Sequence, residues 1–146
     1  LEDVDVPLPL IKLPVFNSLV EGIRGFDSGT EPSRYRPVVQ GELPRGVNVS
    51  RLYFALVGEA DLHDETLDYA LPVGSQLLVE AKKAPKVGQL IVVYFLERDL
   101  GVITRFKKDD EDTLFRSYQV GGKVFWSSEY PDMRISGVVR RVCFEP

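Results

Sequence analysis

After residue 51 the sequence is cut into short apolar runs, each closed by a turn-former, and this rhythm constrains the fold more than any other feature. Leu52, Phe54 and Leu56 interleave with Tyr53, Ala55 and Val57 and stop at Gly58. Residues 76–80 follow Pro72-Val73-Gly74, and 89–97 carry the run LIVVYFL, β-branched and aromatic almost throughout. Residues 101–108 come after a tight turn at Arg98-Asp99. Residues 113–119 and 123–127 flank Gly121-Gly122, a hairpin signal, and 134–144 form a last strand. Runs this short, divided by turns every roughly 8–12 residues, indicate an all-β or β-dominated domain; the expectation is all-β, of short, mostly antiparallel strands. The 146 residues suffice for one domain with its own core, so neither a disulfide nor a metal is needed to hold it.

The first half is plainer. Pro7, Pro9 and Pro14 remove backbone donors and fix φ, so residues 1–12 read as an extended arm or linker ahead of a domain at 13–146. Residues 22–48 are rich in Gly, Pro, Ser and Asn and read as loop, with one short strand at 36–39. Residues 61–70 are acidic and irregular, and the run Asp109-Asp110-Glu111-Asp112 reads as a solvated hairpin tip. A chain that starts on Leu1 rather than Met reads as a piece of a longer product.

Many chemistries are excluded by simple shortage. The lone Cys143 forbids a disulfide framework or a Cys-built zinc site. The lone His63, in Asp61-Leu62-His63-Asp64-Glu65, cannot furnish a transition-metal site by itself and reads as part of a polar loop. Neither a nucleophile elbow of the form G-x-S-x-G nor a phosphate-cradling glycine loop occurs. A net charge of −4 makes this piece a poor direct ligand for nucleic-acid phosphates. Arg140 and Arg141 are neighbours on a strand, so they should point to opposite faces and form no basic patch. With no long apolar run and no signal-peptide pattern, the expected setting is the cytoplasm, without a membrane partner. No cofactor is expected.

Four segments, in order, resemble the self-cleaving repressor family that includes LexA, the lambda-type phage repressors and the UmuD-like proteins. Leu13-Pro14-Val15-Phe16, then Ser18-Leu19-Val20-Glu21-Gly22, resembles the cleavage-site strand, where an apolar run leads into an Ala-Gly bond. Phe54-Ala55-Leu56-Val57-Gly58-Glu59-Ala60-Asp61 resembles the strand and turn Gly-Asp-Ser-Met that carries the nucleophilic serine. Pro72-Val73-Gly74-Ser75 and Pro85-Lys86-Val87-Gly88-Gln89, each leading into an apolar strand, resemble the repeated Pro-x-Gly-Asp pair. Val102-Ile103-Thr104-Arg105-Phe106-Lys107-Lys108 resembles the strand bearing the catalytic lysine. The tail, with Ser128-Glu129-Tyr130-Pro131-Asp132-Met133 and Ile135-Ser136-Gly137-Val138-Val139, is similar to the family's closing segments. The resemblance spans residues 13–144 and implies a LexA- and signal-peptidase-like carboxy-terminal domain.

It also implies that the chemistry is gone. In the family a serine oxygen attacks the chain's own peptide bond after a neutral lysine takes its proton. Here Ala60 stands at the serine position and Thr104 at the lysine position, and neither a methyl nor a neutral hydroxyl can do that work near neutral pH. Glu21-Gly22 stands at the cleavage pair, and a carboxylate there would lose hydration on docking into an apolar cleft. Moving the lysine role to Lys107 would shift it three residues, about 10 Å, and onto the other face of the strand. The expectation is a vestigial peptidase, not an enzyme. It would serve as the dimerisation and regulatory domain of a transcriptional repressor that meets DNA through an amino-terminal helix-turn-helix domain outside this chain. A homodimer is expected, with Phe125, Trp126, Ile135, Val138 and Val139 as the pairing surface, and release by an antirepressor protein, a ligand in the vestigial cleft or proteolysis by another enzyme. The alternative is an active serine-lysine peptidase silenced by an engineered Ser to Ala change at residue 60.

Overall fold

A computed structural model describes residues 10–58, 74–108 and 128–143, and the backbone at 62–63, 113–116 and 124–126. In chain order these form β1 (Leu10–Phe16), α1 (Leu19–Ser28), β2 (Arg34–Val39), 3-10 turns at Gln40–Glu42 and Val49–Arg51, and β3 (Leu52–Leu56). There follow β4 (Leu62–His63), β5 (Gln76–Ala81), β6 (Leu90–Phe95), β7 (Leu100–Arg105), β8 (Lys107–Lys108), β9 (Thr113–Arg116), β10 (Val124–Trp126) and β11 (Met133–Cys143). Eight strands join in the order β2-β1-β3-β5-β11-β6-β7-β4, and a small sheet runs β10-β9-β8. Pairing is antiparallel except between β1 and β3 and between β4 and β7. The all-β expectation holds.

The central strands are continuous apolar runs because both faces of the sheet are buried. On one face Tyr53, Ala55, Leu77, Val79, Val92, Tyr94 and Ile103 pack beneath α1, whose Leu19 and Ile23 point down onto them. The alternate residues build the opposite face. Leu52, Phe54 and Leu78 join Leu13 and Val15 towards β1, and Ile91, Val93, Phe95, Val102 and Val138 pack together towards β7. Each fully buried Leu, Val, Ile or Phe stabilises the fold by about 1.5–3 kcal/mol.

The helix is the chief departure from the loop expected over 22–48. Its start is set by Ser18, whose Oγ accepts from the Glu21 N–H and donates to the Glu21 carboxylate, both at 3.1 Å. Its end is set by Gly29, which takes the left-handed turn (φ 74°) that closes a helix. Gly22 and Gly25, which suggested a loop, are there for proximity. A Cβ on Gly22 would lie 2.4 Å from the Tyr53 ring, and one on Gly25 would lie 2.3 Å from the Phe16 ring.

Three boundaries also differ. The sheet begins at Leu10, so the last residues of the expected arm pair with β2, Lys12 opposite Pro37. The strand expected over 101–108 breaks at Phe106, whose N–H turns to the Gln89 carbonyl, and β8 continues in the other sheet. His63, expected in a loop, sits in β4 with its backbone in register with Ile103 of β7. Gly121-Gly122 and the acidic run 109–112 lie outside the described residues, although the strands flanking Gly121-Gly122 do pair, Phe125 opposite Phe115.

Candidate functional site

Thr104 lies in β7 opposite Ile91 of β6, on the same side of the strand as Val102, and its side chain is fully buried. The two preceding residues, Val102 and Ile103, belong to opposite apolar layers, which is why the strand holds position 104 inside the protein. Ala60 lies outside the described residues. The nearby β4 runs parallel to β7, with Leu62 in register with Val102. Lys107 belongs to β8, paired with Leu114 in the small sheet, and does not continue the line of β7.

The supposed cleavage pair is not in a strand. β1 stops at Phe16, and Glu21 and Gly22 form the first turn of α1. The Gly22 N–H is bonded to the Ser18 carbonyl at 3.1 Å, and Gly22 is pressed against Tyr53. Ser18 prefers to cap a helix, and the Leu19/Ile23 spacing gives that helix a face to bury, so the helical choice prevails over extension.

The expected pairing surface is also revised. β11 is an interior strand, hydrogen-bonded to β5 along one edge and to β6 along the other. Val138 lies between Glu80 and Ile91 and is buried, so it offers nothing to a second chain. Ile135 and Val139 are partly buried against the two apolar layers. Interior and edge strands carry similar sequences, and only their neighbours distinguish them. Phe125 and Trp126 are in β10, at the end of the small sheet, and their side chains lie outside the described residues.

Polar groups gather on the face of the large sheet away from α1. A register shift in β11 between Val139 and Arg141 leaves Arg140 as the extra residue of a bulge. The bulge brings both arginines to one side, against the expectation of opposite faces. Arg140 Nε lies 3.8 Å from Glu80 Oε1, and Arg141 is in register with Leu78 two residues along the same strand face. Glu80 is buried, and its other oxygen accepts from the Asn48 N–H at 3.1 Å. Arg36 of β2 donates to the buried Gln76 Oε1 at 2.5 Å and stacks 4.7 Å over the Phe54 ring. A pocket of about 280 Å³ opens between Arg36, Arg141, Phe54, Leu78, Leu43 and Cys143. The even spacing Gln76, Leu78, Glu80 was the available signal for this face; the bulge that completes it has none.

Two tyrosines on the helix side are shifted. The Tyr94 hydroxyl donates to Asp99, which also pairs with Arg24 of α1, and this hydrogen bond, with burial and the Asp99 charge adding to it, raises the phenol pKa. For Tyr53, burial pushes the phenol far above its ordinary range; Asp27 pushes the same way and the Ser136 hydroxyl opposes both. Among the described residues no three His, Cys, Asp or Glu side chains cluster as metal ligands, and no helix is long and apolar enough to cross a membrane.

No protein-family model matches the chain, and no curated protein matches it.

Proposed function

We propose that this chain is the non-cleaving, LexA-like carboxy-terminal domain of a cytoplasmic transcriptional repressor, working by self-association. The observation that carries the reading is the buried Thr104 in mid-strand β7, at the position where the resemblance calls for a lysine. A neutral hydroxyl in that place cannot take a proton from a serine, so restoring residue 60 alone should restore nothing. The helical, capped Glu21-Gly22 supports the same reading, since a scissile bond must be presented as extended chain in a cleft. DNA is reached through a helix-turn-helix domain outside this chain, and pairing two such domains raises their effective concentration on a palindromic site. Since β11 is interior, the pairing surface moves to β10, with Phe125 and Trp126. Release comes from outside the chain's own chemistry: an antirepressor protein, a bound ligand or another protease.

The test uses Ala60→Ser and the double variant Ala60→Ser/Thr104→Lys at alkaline pH. Ala60→Ser is expected to stay whole. Fragments cut near Glu21-Gly22 from Ala60→Ser alone would favour the rival reading, a peptidase silenced at residue 60. Light scattering at about 100 μM is expected to give a dimer, since weak but specific pairs form in this range. A monomer there would remove the self-association claim.

A further inference from the structure

We propose that the pocket on the sheet face away from α1 binds a small amphipathic monocarboxylate. Its accessible apolar lining is Leu10 of β1, Val38 and Val39 of β2 and Leu43 of the loop that follows, over the buried Phe54 and Leu78. Its walls hold two guanidinium groups that are already positioned. Arg36 is fixed between Gln76 Oε1 and the Phe54 ring, and Arg141 donates to the Glu42 carbonyl at 2.7 Å. Both are held by neutral acceptors or a ring face. Among the described residues neither is within ion-pair distance of a carboxylate, whereas Arg140 beside them takes up the charge of Glu80. Glu42 also lines the pocket, so two positive charges face one negative charge and a surplus of one remains.

That surplus, in a chain whose net charge is −4, selects the ligand. A cation is repelled by the guanidinium pair. A polyphosphate would carry more negative charge than the pair can match and would leave the apolar lining at Leu10, Val38 and Leu43 unused. A single carboxylate matches the planar donors of arginine, and an apolar tail covers Leu10, Val38 and Leu43. About 280 Å³ lies at the small end of ligand cavities, which favours a medium-length chain over a large ring system. The site stands whether or not the chain self-associates.

Decanoate is the probe, with decanol and butyrate as controls for head and tail. Cys143 lines the pocket and reports occupancy through its rate of alkylation by iodoacetamide. Decanoate is expected to bind saturably by calorimetry and to slow Cys143 alkylation in parallel. Decanol, butyrate and the variant Arg141→Gln should each weaken binding about tenfold or more. Arg141 is exposed, so this variant should fold, as circular dichroism would verify; Leu43→Trp, which fills the pocket while keeping both arginines in the sequence, should also abolish binding. The proposal is overturned if decanoate fails to bind at about 1 mM, binds without protecting Cys143, or binds no better than decanol.

Discussion

The two faces of the large sheet use alternate residues of the same strands and have been put to opposite uses. Beneath α1 the contact is dry and close: Gly22 and Gly25 let the helix backbone settle on the Tyr53 and Phe16 rings, and Leu19 and Ile23 are fully or almost fully buried. On the other face loops, not a helix, form the cover. There Gln76 and Glu80 are buried in the sheet, Arg36 and Arg140 reach in to meet them, and a pocket remains open. One helix can mate with a regular surface almost without gaps, whereas a loop cover follows its own backbone hydrogen bonds and leaves space that polar side chains must line. The helix face is therefore sealed, and the loop face keeps an open pocket.

This contrast can be broken by mutation. The largest effect belongs to the helix face: Leu19→Ala should lower unfolding free energy by about 2–5 kcal/mol in a denaturant titration. A loss below 1 kcal/mol would mean that α1 is not needed to cover the sheet. Gly22→Ala places a methyl 2.4 Å from Tyr53 Cε2 and should cost about 1–3 kcal/mol, despite the better helix propensity of alanine. A stabilised variant would show that the close approach is wrong. On the loop face, Glu80→Ala leaves the Asn48 N–H unmet and should cost about 1–3 kcal/mol, while hydrogen exchange accelerates around residues 45–51. Uniform exchange there would detach Glu80 from the loop.

The smallest effect is confined to alkaline solution. Tyr94 has a folded pKa above its ordinary 10.0, so folding favours the protonated phenol. Its contribution is complete below pH 10 and is lost as the pH rises through the raised value. Tyr53 is shifted the same way and keeps its own share. The urea midpoint of the wild type should therefore fall more steeply above pH 10 than that of Tyr94→Phe. Equal slopes would separate Tyr94 from Asp99 and Arg24.

Much of the sheet was readable because strand runs such as LIVVYFL are β-branched, apolar and bounded by turns, and nothing in them competes with extension. The helix was not, because its two glycines look like loop residues until Tyr53 and Phe16, both outside the helix, are seen to need the room. Thr104 was legible as a strand residue, and its lack of an amine was plain from the sequence itself, whereas its full burial came from the packing of the sheet. The interior place of β11 was hidden, since a strand's sequence does not name its neighbours.

By itself the sequence determined the residue types and their period: an all-β chain, with alternate residues sorted onto two sheet faces and no lysine at position 104. The tertiary structure alone decided which strands lie inside, that Glu21-Gly22 is helical, and that a bulge turns Arg140 and Arg141 to one side. The physical reason is range: backbone preference and side-chain alternation act over a few residues, whereas strand order, a one-residue shift of register and a glycine beneath a ring depend on partners distant along the chain.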